Sequence, residues 1–230
     1  MATPKKISFN FPKFTPGDAN ITLQGGAKIL DNGILALPDD TSIEQSRALY
    51  TTPVPIWDST TGEVASFVTS FSFIVTDIPN RYPADGLVFF LAPFGTQIPN
   101  NSGGGALAIV DPNNAFNRFV AVEFDSYINN ECDPSYNHIG IDVNSLISLK
   151  TVKWNRVSGS LEKVSIIYDS LAKTLSVAVT HGNGQISTIS QVIDLKAVLP
   201  EKVSVGFSGT ICDGRERHDI FSWSFTSTLA

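Results

Sequence analysis

The strongest constraint on the fold is a two-residue alternation in residues 65–75, ASFVTSFSFIV, which places three phenylalanines and Thr69 on one side of an extended chain. In an extended chain Phe71 and Phe73 lie on one side, while Ser70 and Ser72 lie on the other. Phenylalanines on one face of a strand are typical of a core between two packed sheets. We therefore predict a β-sandwich here, in preference to an exposed aromatic platform.

Most of the remaining chain repeats this pattern in shorter form. Alternating runs are separated by Gly, Pro, Asn and Asp at short intervals, and only 17% of the residues are charged. Such punctuation is typical of an antiparallel sandwich. The segment DLKAVLP, residues 194–200, is the one plausible short helical turn. No stretch reads as a linker, so we predict an all-β fold with a single domain at 1–230.

Charge and hydropathy exclude several classes of partner. The net charge of -6 argues against a nucleic-acid surface, and no Lys or Arg cluster contradicts this. No apolar run approaches the ~20 residues of a membrane helix, so we expect no membrane span. The first residues, MATPKKISFNF, carry no secretory h-region, so the chain either follows a removed signal or is cytosolic. Two sequons, at Asn20 and Asn100, would be used only in a secreted chain.

The candidate chemistry is concentrated in residues 119–148, FVAVEFDSYINNECDPSYNHIGIDVNSLIS. A strand with Phe124 on its apolar face places Glu123 and Asp125 side by side on the other face. A polar loop follows, and His138 then opens a second alternating run, which returns an imidazole towards the carboxylates. Paired carboxylates that face one way without a cation are strongly disfavoured. This favours a metal site over an ordinary polar hairpin loop.

The donor types predict two ions in one cluster. Hard oxygen donors suit calcium, whereas a histidine among carboxylates suits a borderline metal such as manganese. We expect the transition metal to be held by Glu123, Asp125, Asp133 and His138. We expect calcium to be held by Asp125, Asn129, Asp133 and the carbonyl of Tyr127.

The motifs VAVEFDSY, DP and HIGIDVNS in this stretch resemble the metal-binding signature of the legume lectins. The resemblance implies a jelly-roll β-sandwich of two large antiparallel sheets that binds sugar, uses Ca2+ and Mn2+, and is not an enzyme. It also implies that Ser148 contacts a metal-bound water. Every ligand position of the family is filled in this chain.

The same resemblance implies a sugar site built from several loops. Ala84-Asp85 matches a dipeptide that the family holds as a cis peptide beside calcium, and its aspartate accepts hydrogen bonds from sugar hydroxyls. Gly105 matches a glycine whose backbone N–H donates to sugar, and the apolar run after it, ALAIV, is predicted as a strand. The expected sugar-binding residues are Asp85, Gly105, Tyr127, Asn129, Asp213 and Gly214.

The sequence leaves the sugar open. The loop between Ser208 and His218 is short, which in the family is more often found with mannose or glucose than with galactose. Asp213 and Gly214 are unusual at their positions, however, and residues 155–163, NRVSGSLEK, resemble the fucose-binding lectins of the Lotus group. We therefore favour mannose or glucose, with L-fucose or another sugar as the alternative.

Two other classes share parts of this pattern. Jelly-roll glycoside hydrolases also carry Glu-x-Asp on a strand, but they need a second glutamate about four residues on, where this chain has Tyr127 and Ile128. Metal-free storage or defence relatives such as arcelins lose ligands that this chain retains. Both classes are therefore disfavoured.

The resemblance also bears on cysteines and assembly. Cys132 precedes Asp133, and Cys212 lies in a loop that borders the same site in the family, so a disulfide between them is an alternative to two free thiols. Terminal edge strands pair between subunits in the family, which predicts a homodimer or homotetramer. The expected partners are glycans and glycoproteins, and the expected location is the secretory pathway, leading to seed vacuoles or the extracellular space.

Overall fold

The structure is a computed structural model that describes residues 5–38, 44–114, 116–129, 133–211 and 215–229. Its strands are β1 Lys5–Phe11, β2 Ile21–Gly25, β3 Lys28–Ile29, β4 Leu35–Ala36, β5 Gln45–Tyr50, β6 Val54–Pro55, β7 Ser66–Asp77, β8 Gly86–Pro93, β9 Val120–Asp125, β10 His138–Val143, β11 Lys150–Lys153, β12 Leu161–Asp169, β13 Thr174–Thr180, β14 Ile186–Val192, β15 Lys202–Thr210 and β16 Glu216–Leu229. A short α-helix, α1, spans Leu195–Val198, and a 3-10 turn spans Gly104–Ala106. The predicted helical turn is confirmed.

The strands form two antiparallel sheets. The first, called the β7 sheet, has the order β14-β13-β12-β7-β16-β4-β3, and β1 also pairs with β16. The second, called the β9 sheet, has the order β11-β10-β9-β8-β15-β5-β2, and β6 also pairs with β15. The predicted all-β sandwich of two large antiparallel sheets is confirmed.

The phenylalanine face of β7 packs into the core between the sheets, as predicted. The ring of Phe71 lies 5.8 Å from the ring of Phe89 and 4.9 Å from that of Phe207, and these partners belong to β8 and β15 of the β9 sheet. All three side chains are buried. Each contributes on the order of 2–3 kcal/mol through the apolar surface it removes from water.

The opposite face of the β9 sheet is only partly covered. Strand β8, GLVFFLAP, is buried on both faces, because Leu107 and Ile109 pack over Val88 and Phe90 in a second, smaller apolar cluster. The neighbouring part of this face carries polar side chains of β9 and β10 instead. This is where the candidate site lies.

The prediction of a strand in ALAIV after Gly105 is wrong. Leu107 and Ala108 both have left-handed backbone angles, with φ of 52° and 54°, which a strand cannot accommodate. Arg47 stabilises this turn, because its Nε donates to the carbonyl of Ala108 at 2.6 Å. The apolar side chains thus cover β8 from a loop.

Candidate metal and ligand site

Pairing of β9 with β10 assembles the acidic cluster. His138 is paired with Asp125, and Gly140 is paired with Glu123. The side chains of Glu123, Asp125 and His138 therefore lie on one face of the sheet. Their ligand atoms lie within 4.8 Å of one another, and all three residues are buried. His138 Nε2 is 2.8 Å from Glu123 Oε1. The prediction that the chain returns a histidine to the paired carboxylates is confirmed.

The loop after β9 closes on the same cluster. The backbone N–H of Tyr127 donates to Asp125 Oδ1 at 2.8 Å, and that of Asn129 donates to Asp133 Oδ2 at 2.6 Å. The backbone N–H of Asp133 returns a hydrogen bond to the Asn129 carbonyl at 2.9 Å. A cavity of about 670 Å³ adjoins these groups and is lined in part by Gly105, Glu123, Asp125, Tyr127, Asn129 and Asp133.

Gly105 reaches this cavity from the 3-10 turn. Thr210 Oγ1 donates to the Gly104 carbonyl at 2.8 Å and anchors the turn to the end of β15. A Cβ added at Gly105 would lie 2.9 Å from Asn129 Oδ1, closer than real Cβ atoms approach such an oxygen. The absence of a side chain therefore lets this backbone contact the Asn129 amide directly.

Asp85 lies immediately before β8, and Gly86 is paired with Asp125. The Ala84-Asp85 peptide is cis, as the resemblance predicted. The backbone N–H of Asp85 donates to the Thr210 carbonyl at 3.0 Å, while its carbonyl accepts the Ser126 N–H at 3.1 Å. Asp85 is thus tied to both β15 and the end of β9.

Ser148 and Asp142 extend the cluster. Ser148 Oγ lies 2.5 Å from Glu123 Oε1 and 2.7 Å from Asp142 Oδ1, but its single proton can be donated to only one of them. Burial, together with the charge of Glu123, raises the pKa of Asp142 well above its ordinary value. The Oδ2 atom of Asp142 is buried without a hydrogen-bond partner among the described residues. The site therefore contains a carboxyl that the sequence prediction missed.

The alternation in HIGIDV could have revealed this residue, since it places His138, Gly140 and Asp142 on one face. Gly140 has its own reason to be there. A Cβ at this position would overlap the Glu123 carboxylate and the Ser148 hydroxyl. The glycine therefore makes room for the Glu123 side chain to turn across β10.

The electrostatics of the cluster suit a divalent cation. Burial raises the pKa of Asp125 to about 9, and the charges of Glu123, Asp133 and Asp85 add to the shift. Within the described ranges, neither Lys nor Arg forms an ion pair with Glu123, Asp125 or Asp142. Buried carboxylates of this kind either take up protons or bind a cation, and the donor set fits calcium and a transition metal.

Some predicted residues cannot be placed. Asp213, Gly214, Cys132 and Cys212 lie outside the described residues, so their sugar contacts and the disulfide stay predictions. The backbone beside Asp213 and Gly214 is anchored on both sides, because the N–H of Ile211 donates to Glu44 and that of Arg215 donates to Tyr82. Tyr127 is 45% exposed, which leaves its ring accessible to a ligand.

Comparison with known proteins gives the family. Residues 6–230 match a family model described as the legume lectin domain. The chain is 66% identical to a putative bark agglutinin of Robinia pseudoacacia, covering 97% of this chain and 82% of that protein. It is 55% identical to a galactose-binding lectin of Arachis hypogaea, covering 97% of this chain and 84% of that one.

The fold agrees with this assignment. The structure superposes on a Lotus tetragonolobus seed lectin with a TM-score of 0.95 and 62% identity, covering 97% of this chain and 99% of that chain. The chain therefore belongs to the legume lectin family, and it is a carbohydrate-binding protein, not a glycoside hydrolase. No described helix is long and apolar enough to cross a membrane.

Proposed function

We propose that this lectin binds sugar in a manner that depends on calcium and manganese at the Glu123 cluster. The observation that carries the proposal is the crowding of buried carboxylates, which raises the pKa of Asp125 to about 9. Bound cations would supply the positive charge that lets these carboxylates stay ionised at neutral pH. The proposed manganese ligands are Glu123, Asp125, Asp133 and His138, with Ser148 on a bound water. The proposed calcium ligands are Asp125, Tyr127, Asn129 and Asp133.

The sugar would be held by the residues around the cavity. Asp85 supplies acceptors for sugar hydroxyls, whereas the Gly105 N–H and the Asn129 amide supply donors. The exposed ring of Tyr127 supplies an apolar surface for sugar C–H groups. The metals themselves need not touch sugar, because their part is to fix Asn129 and its neighbours by coordination.

For the sugar itself, we propose a galactose-type or L-fucose-type ligand ahead of mannose or glucose. The supports are the galactose-binding relative at 55% identity and the likeness to the Lotus seed lectin, whose group the 155–163 segment also resembles. Mannose or glucose, which the short loop before His218 favours, stays the alternative prediction.

A glycan array with and without EDTA tests this function. We expect binding to a terminal galactose or fucose series, lost with EDTA and restored by Ca2+ and Mn2+. Asp85→Ala should abolish sugar binding while the bound metal content remains unchanged. Binding that EDTA leaves intact would contradict the metal dependence, and the absence of binding to any glycan would instead favour a storage or defence protein.

Assembly and location are part of the same proposal. Among the described residues, β1 pairs only with β16 and β2 only with β5, so each offers a free edge for a second subunit. We propose a homodimer or homotetramer in the secretory pathway, with Asn20, which is exposed, as a glycan acceptor. Sedimentation showing only monomer at micromolar concentration would refute the proposed oligomer. Plant-expressed protein without a glycan on Asn20 would count against the proposed glycosylation in the secretory pathway.

A further inference from the structure

A second buried cluster of charged groups is connected to the backbone of Asp85 through Ser126. It is formed by Glu216 and His218 on β16, by Arg156, and by Ser126 at the end of β9. The side chains of Glu216 and His218 are completely buried. None of these groups belongs to the proposed metal or sugar ligands.

Glu216 is the centre of this cluster. Its Oε1 accepts a hydrogen bond from Ser126 Oγ at 2.5 Å and lies 2.8 Å from His218 Nε2. Arg156 Nη2 lies 3.3 Å from Oε2 and also pairs with Asp77. Burial alone would raise the pKa of Glu216, but His218, Ser126 and Arg156 together hold it below its ordinary value. Glu216 is therefore a buried carboxyl group with three polar side-chain partners.

His218 is held between two acceptors. Its Nδ1 lies 2.6 Å from the Leu37 carbonyl, which can only accept, so this nitrogen must carry a proton. Its Nε2 lies 2.8 Å from Glu216 Oε1 on the other side of the ring. The His218 ring thus ties Glu216 to the Leu37 carbonyl, while Arg156 approaches the other carboxyl oxygen, Oε2.

Ser126 connects this pair to the ligand site. Both its N–H and its Oγ lie 3.1 Å from the Asp85 carbonyl, and its hydroxyl proton is directed to Glu216. Ser126 directly follows Asp125, and Glu216 directly follows Arg215, whose N–H donates to the Tyr82 carbonyl at 2.6 Å. Two segments with proposed ligand contacts, the Asp85 segment and the end of β9, therefore meet at one carboxyl group at the start of β16.

We propose that Glu216 is a positioning residue, which acts through Ser126 to set the Asp85 segment against the start of β16 and so fixes the geometry of the sugar site. The inference rests on the proposed function, because it matters only if Asp85 binds the ligand. It differs from the metal scheme, since Glu216 reaches the backbone of Asp85 through Ser126, which is not a proposed metal ligand.

The test compares Glu216→Gln and Ser126→Ala with a matched control, Glu162→Gln. Glu162 is a buried glutamate that likewise pairs with a histidine, His181, at 2.7 Å. It lies on β12, two strands from β16 in the same sheet, and its partner is His181 instead of Ser126. The sugar that scores highest on the array is titrated at saturating Ca2+ and Mn2+, well below the melting temperature, and bound metal is measured in each sample. We expect both test variants to lose affinity by about tenfold with full metal content, because a buried partner is lost in each.

The outcomes separate the two proposals. Unchanged affinity in both test variants would overturn the role of Glu216, as would an equal loss in Glu162→Gln, which would mark general destabilisation. Affinity lost only together with metal would also overturn it, because the effect would then act through the ions. If the wild-type protein binds no sugar, the proposed function fails instead. Should Glu216→Gln not fold, Ser126→Ala alone decides, since it removes only the hydroxyl link.

Discussion

Two buried pairs of histidine and glutamate look alike locally but differ in their surroundings. His138 Nε2 lies 2.8 Å from Glu123 in the β9 sheet, and His181 Nδ1 lies 2.7 Å from Glu162 in the β7 sheet. The second nitrogen of His181 contacts Ser187 Oγ at 2.8 Å, so both nitrogens of that ring have partners within the protein. The Glu123 pair is instead surrounded by further carboxylates.

This difference shows what distinguishes a metal site from a structural pair. At Glu162, His181 and the nearby Arg156 both act against the rise in pKa that burial causes. At Glu123 the additional buried carboxyls of Asp125 and Asp142 leave more negative charge than His138 can balance. The surplus of buried acid, more than the histidine, therefore indicates a cation.

The largest expected effect is that of Asp125→Ala, which removes the proposed ligand shared by both ions. We expect loss of both metals and of sugar binding together, because the remaining donors no longer enclose either site. Metal content after dialysis, measured beside a sugar titration, checks this. Normal sugar binding by this variant would contradict the assignment of the His138–Glu123 pair to a metal site.

The next effect is the dependence of stability on pH in the metal-free protein. The folded protein keeps a proton on Asp125 up to about pH 9, whereas an unfolded aspartate loses it near pH ~4. Between these values the folded state binds more protons than the unfolded state, so the unfolding free energy falls as the pH rises. Melting of EDTA-treated protein at several pH values tests this. We expect Ca2+ and Mn2+ to restore most stability at the alkaline end, and a metal-free melting temperature that rises with pH would contradict the prediction.

A smaller effect is expected for Asp142→Asn. This change removes one of the surplus carboxyls while it keeps a side chain of similar size beside Ser148. We expect a more stable metal-free protein, because repulsion with Glu123 is lost, and a manganese affinity weaker by about tenfold. Thermal melting and manganese titration give both values. Weaker stability without metal would argue that Asp142 is a structural partner and not surplus charge.

The smallest effect on the site is expected for Glu162→Gln. Loss of the charged partner of His181 should lower the unfolding free energy by about 1–3 kcal/mol, since the pair is buried. Metal content and sugar affinity should not change, because β12 lies in the β7 sheet, whereas the proposed metal site lies on the β9 sheet. Denaturant unfolding and a sugar titration measure the two quantities. A loss of bound metal in Glu162→Gln would contradict the distinction between the structural His181–Glu162 pair and the proposed metal site at His138 and Glu123.

Local patterns predicted those parts of the structure that depend on a single strand or strand pair. The alternation around Phe71 gave the core face of β7, and that around Glu123 gave the shared face with His138. The strand predicted after Gly105 failed because Arg47, distant in sequence, holds Ala108 in a turn. No local signal marks such a contact.

The contacts of Glu216 were missed for the same physical reason. Its partners Ser126 and Arg156 come from other elements, and only the folded chain brings them to one carboxylate. The cis peptide before Asp85 and the role of Gly105 came from the family resemblance, since nothing in their spacing alone requires them. Asp142, by contrast, was visible in the HIGIDV alternation.

The most direct test of the metal-dependent sugar site is a titration of Ca2+ and Mn2+ into EDTA-treated protein, with bound ions and sugar affinity measured in the same samples. We predict one calcium and one manganese ion per chain, with sugar binding appearing only as these ions fill the Glu123 cluster. Metal-free protein that binds sugar with the affinity of the loaded protein would contradict this.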